Sequence, residues 1–339
     1  MCRGDVIALL GTRRRLRRMF QGLGFALAVI TGFISTNATA QEYPSRRVTV
    51  IVGAPAGGVT DLVSRIVSEF LQEKLGQPFV VENITGANTT LGAIQVARAE
   101  PDGYILLMNP SIFVITPMLT SVPYDVVKDF TPISNFGTIP LAFGVYPGVQ
   151  AKTVKEFVAL AKADPDKLSW GSEGIGAAGY MAAAQLQHEA GFKLLIVPYK
   201  GTTPALADLL AGRVSAMISP MGNLTPQFSA GTVRPLAVTS KSRMSSLPDV
   251  PTMAEAGYPA VEGGSWFAAW GPKHMPQNVV DILNREISEA MKTSSVIDRF
   301  ASLGVIPVGS SSSDFAVFQE SEIAKNRKII KDANISIGN

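Results

Sequence analysis

The chain has 339 residues, of which 46% are hydrophobic and 17% carry a charge. This composition excludes bulk disorder and a long coiled coil, and the length favours two domains with sizeable cores. A formal charge of +3 would suit nucleic acid or an anionic membrane as a partner, so the position of the basic residues decides whether that interpretation holds.

The first 40 residues account for the positive charge. They hold six arginines and one acidic residue, and an apolar run follows from about Gly22 to Ile34. With the small residues of Ala38-Thr39-Ala40, this pattern predicts a secretory signal peptide that is cleaved after Ala40. The remaining chain has 24 basic and 26 acidic residues. We therefore expect export to the periplasm, with Sec and twin-arginine export both open, and neither nucleic acid nor a membrane surface as a partner.

The exported part begins with a strand, a glycine loop and a helix. Val48 to Val52 is apolar and β-branched, and the first glycine loop (residues 53–58) follows it directly. Apolar residues then recur at helical spacing as far as Gly76, which is typical of a helix C-terminus. Thr60 or Asp61 is predicted to be the N-cap.

The same arrangement occurs a second time in the chain. A short strand at 168–170 leads into the second glycine loop (residues 171–179) and an alanine-rich helix that ends near Gly191. Helix N-termini present free N–H groups, and glycines allow an anion to approach the backbone closely. Two such loops that face each other would clamp an anion, although glycines also occur simply to form tight turns.

Further strands and helices alternate along the chain, and this alternation predicts an α/β fold with layers. Capping-box pairs at Thr153/Glu156 and Thr252/Glu255 predict two helix starts, Thr203-Pro204 predicts a third, and a long amphipathic helix is expected from about 314 to 332. The other predicted strands are 79–82, 104–108, 141–146, 194–199, 216–219, 235–239 and 267–270.

Several catalytic and cofactor sites are disfavoured. The first glycine loop resembles a phosphate-binding loop, but Val59 stands where the lysine is needed. The 174–179 glycines match a dinucleotide fingerprint without the acidic residue that normally follows. Cys2 is the single cysteine, and His188 and His274 have no partners at metal-ligand spacing. We therefore expect no cofactor, no metal and no catalytic residues.

Short blocks of sequence, in order along the chain, carry a family resemblance over about 43 to 335. The blocks are Tyr43-Pro44, Gly57-Gly58-Val59-Thr60-Asp61, Leu75-Gly76-Gln77-Pro78, Pro101-Asp102-Gly103-Tyr104, Pro123-Tyr124-Asp125, Val197-Pro198-Tyr199-Lys200-Gly201 and Leu247-Pro248-Asp249-Val250-Pro251-Thr252. With these blocks the chain resembles the substrate-binding proteins of tripartite tricarboxylate transporters, also called Bug receptors.

This resemblance implies the α/β fold of a type II periplasmic binding protein, in which two lobes joined by a hinge close on a ligand. The first lobe is expected to comprise 41–141 and 240–339, and the second 142–239. The function implied is a monomeric receptor, not an enzyme, that captures a small di- or tricarboxylate and delivers it to the membrane permease subunits of the transporter. A sensor that signals to a membrane kinase and a periplasmic enzyme with an anion site remain alternatives.

The resemblance also implies which residues bind the ligand. Both glycine loops contribute, together with polar residues that follow another strand of the first lobe. For Asp61 an equally good interpretation is that its carboxylate caps the helix. The implied residues are Ala56, Gly57, Gly58, Val59, Thr60, Asp61, Asn109, Ser111, Ser172, Gly174, Gly176 and Ala177.

The second glycine loop departs from the family pattern. Glu173 and Ile175 stand where small polar residues are common, and Tyr180 replaces a histidine at the start of the helix. With Phe113 and Trp266 in neighbouring motifs, these residues suggest a ligand with a sizeable apolar or aromatic body behind its carboxylate.

Overall fold

In a computed structural model of the protein, the structure describes residues 43–335. The predicted signal peptide and its cleavage site lie outside the described residues. Contacts divide the chain between Tyr43 and Pro44, and every element named below belongs to the unit that begins at Pro44.

Ten strands are formed by the described residues, and most follow the predicted apolar runs. They are β1 (Val48–Val52), β2 (Phe79–Asn83), β3 (Ile105–Pro110), β4 (Phe130–Val145), β5 (Ser169–Ser172), β6 (Leu195–Pro198), β7 (Ala216–Pro220), β8 (Arg234–Val238), β9 (Gly264–Pro272) and β10 (Ile306–Pro307).

Helices follow most of the strands, as the alternation predicted. They are α1 (Val59–Leu75), α2 (Thr90–Ala97), α3 (Ile112–Leu119), α4 (Val154–Ala163), α5 (Ala178–Ala190), α6 (Thr202–Leu210), α7 (Met221–Ser229), α8 (Gln277–Ala290), α9 (Ser294–Ser302) and α10 (Ser312–Asp332), with a short 3₁₀ turn at Pro165–Lys167.

The strands are hydrogen-bonded in the order β2-β1-β3-β9-β4-β7-β5-β6, and β8 and β10 also pair with β4. β1 is parallel to both of its neighbours, and β5 is parallel to β6 and β7. β9 runs antiparallel to β3 and β4. Because the strands of each parallel group point the same way, their carboxyl ends gather at one edge of that group.

The long strand β4 connects the two groups. From Phe130 to Pro140 it pairs with β9, from Leu141 to Val145 it pairs with β7, and from Ala142 to Val145 it also pairs with β8. The predicted strand covered only the second half. The first half contains Pro132 and Gly137, which read as turn residues, but two register shifts let them pair with β9.

Buried side chains of the described residues form three core clusters, two of which are built around buried aromatic rings. In one, the Phe113 ring lies 4.8 Å from Trp270 and 5.0 Å from Phe130, between ring centroids. In the other, Trp170 lies 5.0 Å from Phe143 and 5.1 Å from Phe157. T-shaped and tilted ring pairs of this kind are typical of aromatic cores.

The helix ends agree in part with the sequence. Gly76 ends α1 with a φ of 69°, and the hydroxyl of Thr153 accepts a hydrogen bond from the Glu156 N–H, so both predictions are confirmed. The predicted N-cap of α1 is wrong, because the helix already begins after Gly58. The Thr252/Glu255 box also forms, but only turns follow it, since Gly257 with a φ of 96° ends the segment at once.

Candidate functional site

A cleft of about 1140 Å³ opens at the carboxyl ends of the strands. Its walls come from residues at or after the ends of β1 (53–60), β2 (85–89), β3 (110–112), β5 (173–175, 177 and 178), β6 (198–204) and β7 (Pro220 and Asn223), with Ser265 and Phe267 from β9. This edge is where open α/β sheets bind their ligands. We call this space the cleft.

Six helices begin at the wall of the cleft, and the N-cap residue of each lines it. In none of these six does the N-cap side chain accept a hydrogen bond from the helix. The two described helices that a side chain does cap, α4 and α10, begin elsewhere. Uncapped N-termini carry free N–H groups and partial positive charge, so the cleft is built to attract anions. The six N-caps are Gly58, Thr89, Ser111, Ala177, Gly201 and Pro220.

The first glycine loop is held in place by Asp61, which does not line the cleft. Its carboxylate accepts hydrogen bonds from the Gly57 N–H at 2.9 Å and the Asn83 amide at 2.9 Å, and Arg65 approaches it to 2.9 Å. Burial alone would raise the pKa of this carboxyl, but the hydrogen bonds and the charge of Arg65 outweigh burial and lower it. Asp61 therefore positions the loop from behind.

Substitution of Asp61 tests whether its carboxylate holds the first glycine loop in place. Asp61→Ala leaves the Gly57 N–H and the Asn83 amide without their acceptor, so we expect the free energy of unfolding to fall by about 2 kcal/mol in urea denaturation at neutral pH. Because the folded pKa is lowered, this contribution is lost as the pH falls through that pKa, and the two proteins should converge in acid.

The control for this variant lies on the same helix. Glu69→Ala removes an exposed ion pair with Arg299 and should change stability by no more than about 0.5 kcal/mol. Equal losses for the two variants would contradict a special role for the buried carboxylate.

Asn109 also supports the first glycine loop. It is fully buried, and its Oδ1 atom accepts a hydrogen bond of 2.8 Å from the Gly53 N–H. Ser111 does line the cleft, and its hydroxyl lies 3.3 Å from that of Ser265. The two polar residues expected after β3 thus take different positions, one behind the loop and one on the wall.

Of the four residues of the second glycine loop that were predicted to bind ligand, two line the cleft and two do not. Ser172 is buried and donates its hydroxyl to the Gly174 carbonyl at 3.2 Å. Gly176 has a φ of 82°, and a Cβ there would stand 2.6 Å from Leu119 Cδ1, so it packs against α3 rather than lining the cleft. Of the twelve residues predicted to bind ligand, eight line the cleft: Ala56, Gly57, Gly58, Val59, Thr60, Ser111, Gly174 and Ala177.

The sequence prediction missed three segments of the wall. The segment 85–89 holds three consecutive non-glycine residues with positive φ, namely Ala87, Asn88 and Thr89. The segments that follow β6 and β7 also line the cleft. A signal was present in the first two, since Gly86 and Gly201 follow predicted strands.

Few charged side chains reach the cleft. Among the described residues that line it, the titratable ones are Glu173, Tyr199 and Lys200. The Tyr199 hydroxyl donates to Asp208 at 2.6 Å, and burial together with this hydrogen bond raises the pKa of Tyr199 to about 12. The polarity of the wall therefore comes mainly from backbone N–H groups and short polar side chains.

The aromatic residues expected near the ligand lie elsewhere. Phe113 and Trp266 are buried in the core, and Tyr180 borders a separate groove beside β6. The larger apolar side chains of the cleft are instead those of Ile112, Ile175 and Phe267. None of these three rings lines the cleft, so they do not support a ligand with an aromatic body.

Within residues 43–335, no helix combines the length and the apolar character needed to cross a bilayer. The same residues contain no group of three or more histidine, cysteine or acidic side chains arranged to hold a metal ion.

The fold and the cleft are those of a periplasmic binding protein. The structure of the periplasmic binding protein BugD is similar, with 35% identity and a TM-score of 0.76 over 87% of this chain and 99% of that one. The model of the tripartite tricarboxylate transporter family receptor matches residues 63–335, so the chain belongs to that family. The resemblance drawn from the sequence blocks and the fold that it implied are confirmed.

Two solved relatives contain carboxylates. The Rhodopseudomonas palustris protein Rpa4515, with adipate, is 32% identical with a TM-score of 0.80 and covers 87% of this chain and 99% of its own. MatC from the same organism, with bound malate, is 30% identical with a TM-score of 0.75 and covers 85% of this chain and 100% of its own.

Proposed function

We propose that the protein is a periplasmic receptor that captures a small di- or tricarboxylate in the cleft and delivers it to the permease of a tripartite tricarboxylate transporter. The observation that carries this proposal is the set of six uncapped helix N-termini around the cleft. The adipate and malate in the two relatives support a carboxylate as the ligand. The receptor binds without covalent chemistry and acts as a monomer.

The ligand is recognised by the backbone rather than by an arginine fork. Among the described residues of the cleft wall, Lys200 is the single basic side chain. A carboxylate can instead accept hydrogen bonds from the first turn of α1 in one lobe and from that of α5 in the other. Because the ligand contacts both lobes only when they are close, it stabilises the closed state.

The lobes that we propose are 41–141 with 240–339, and 142–239. Two features support these boundaries. β4 changes partners between Pro140 and Leu141, and Leu141 exchanges hydrogen bonds with Thr239 just after β8. The two segments that cross between lobes are thus bonded side by side, as a hinge requires. Across the cleft, the Asn88 amide donates to the Ile175 carbonyl at 3.5 Å.

The amino-terminal 40 residues act as the export signal in this proposal. Their six arginines, the apolar run that follows and the small residues before Gln41 support cleavage after Ala40. The exported chain is then slightly acidic, so its anion affinity comes from local dipoles and not from net charge.

Calorimetric titration of the exported chain tests the proposal. We expect at least one of adipate, malate and citrate to bind with a dissociation constant in the micromolar range or below, and adipamide, which has the shape of adipate without its charge, to bind at least about 100-fold more weakly. Equal binding of adipate and adipamide, or no binding of any carboxylate, would contradict it.

A further inference from the structure

Lys200 is the single basic side chain among the described residues of the cleft wall. It is exposed, so its ammonium group is accessible to a ligand in the cleft. Lysines elsewhere, such as Lys128 and Lys167, form ion pairs with neighbouring acidic residues. Within residues 43–335, the Lys200 side chain forms no ion pair and no hydrogen bond. The wall of the cleft therefore offers one full positive charge to an anion.

The backbone on both sides of Lys200 is bonded to the second glycine loop. The Tyr199 N–H donates to the Ser172 carbonyl at 2.8 Å, and the Gly201 N–H donates to the Glu173 carbonyl at 3.1 Å. Lys200 is thus held beside the loop that leads into α5, at whose N-terminus we place one ligand carboxylate. Its long, flexible side chain can reach a second group on the same ligand.

Two acidic residues lie beside the segment that carries Lys200, and neither forms an ion pair with it. Asp208 on α6 accepts a hydrogen bond from the Tyr199 hydroxyl at 2.6 Å and pairs with Arg213 at 2.8 Å. The Oε2 atom of Glu173 is shielded from solvent. The charge of Lys200 is therefore not neutralised by the acidic groups around it.

Lys200 also stands where a cation is unfavourable for the helix that follows. It directly precedes Gly201, the N-cap of α6, and the first turn of α6 contains no acidic residue. Because the N-terminal end of a helix carries partial positive charge, a lysine there lowers stability. A residue that stability does not favour is expected to serve binding instead.

We propose that Lys200 binds the second carboxylate of a dicarboxylate ligand, so that the cleft selects dicarboxylates over monocarboxylates. This inference rests on the proposed function. The first carboxylate accepts hydrogen bonds from the N-termini of α1 and α5, which carry only partial charges. A second carboxylate loses its hydration when the lobes close and needs a counter-charge. Among the described residues of the wall, Lys200 alone supplies one.

The test compares pairs of ligands that differ by one carboxylate. Adipate and hexanoate share an unbranched six-carbon chain, and malate and 2-hydroxybutyrate form a second pair. Calorimetric titration of the exported chain measures the dicarboxylates, and competition against them measures the weaker monocarboxylates. We expect the wild type to bind at least one dicarboxylate about 10-fold or more tightly than its monocarboxylate partner.

Lys200→Gln removes the counter-charge. It should lose about 10-fold or more in affinity for the dicarboxylate and less than about threefold for the monocarboxylate, so the preference between them largely disappears. Thermal melting should show a variant as stable as the wild type or more stable, because a cation has been removed from the N-terminus of α6.

Two further variants are the controls. Lys193→Gln changes the net charge equally, but Lys193 is exposed in a separate groove beside β6 and does not line the cleft, so affinity should be unchanged. Lys200→Arg keeps a cation at the same place and should retain most of the preference for the dicarboxylate.

A Lys200→Gln variant that keeps wild-type affinity for the dicarboxylate, or that loses affinity equally for both ligands of a pair, would overturn this inference alone. The same holds for a wild type that binds citrate but neither adipate nor malate. A wild type that binds none of the carboxylates would overturn the proposed function and this inference with it.

Discussion

Ala177→Asp is expected to abolish carboxylate binding while making the protein more stable. Ala177 is the N-cap of α5, with extended backbone angles and no side chain to accept the free N–H groups of the first turn. Aspartate is among the best residues at this position, so the variant should gain about 1 kcal/mol in the free energy of unfolding.

The same carboxylate would occupy the place that we propose for the ligand. Two like charges about 4 Å apart repel by roughly 4 kcal/mol at an effective dielectric constant of 20, which corresponds to a loss of about 1000-fold in affinity. Calorimetric titration with the ligand found for the wild type measures the loss of affinity. Thermal melting of the same sample measures the gain in stability.

Ala177→Ser is the matched control. Its hydroxyl caps the helix without a charge, so stability should rise by a similar amount and affinity should stay within about threefold of the wild type. An aspartate variant that binds like the wild type would show that the ligand does not use this helix N-terminus. Weak binding by both variants would instead indicate that any larger side chain blocks the site.

The sequence predicts the two glycine loops well because the signal is local. An apolar strand, a run of glycines and an amphipathic helix follow each other directly in both places, and the structure has both helices. That the first loop faces the second is not a local property. It depends on the strand order, which brings the carboxyl ends of β1 and β5 to one cleft.

The roles of individual polar residues were harder to predict. Asp61 and Asn109 follow the pattern of ligand-binding residues, yet both turn inwards and bond to the backbone of the first glycine loop. Asp61 takes this position because α1 begins directly after Gly58, which places Asp61 in the first turn of the helix rather than at its N-cap. The N-termini of α2, α3, α6 and α7 also meet at the cleft. No local sequence pattern predicts this, because the pairing of strands that are distant in sequence brings these helices together.

Gly179→Ala is expected to lower the free energy of unfolding by about 3 kcal/mol and to weaken binding as well. A Cβ on Gly179 would stand 1.8 Å from the carbonyl oxygen of Ile218 on β7 and 2.9 Å from its carbonyl carbon. Neither atom can rotate away as a side chain could, so α5 must move off the sheet. Crowding of this kind in a packed interior typically costs 1–3 kcal/mol, and displacement of α5 would also shift the anion site.

Gly191→Ala is the control for Gly179→Ala. It shows whether any glycine-to-alanine change in α5 lowers stability and affinity, or only one at the contact with β7. Gly191 ends the same helix with a φ of 66°, and a Cβ there meets no atom within 4 Å. The left-handed conformation alone should cost about 1 kcal/mol, with affinity unchanged. Urea denaturation of both variants gives the comparison. Equal losses at the two positions, or an unchanged affinity in Gly179→Ala, would mean that contact between α5 and β7 does not fix the position of the second glycine loop.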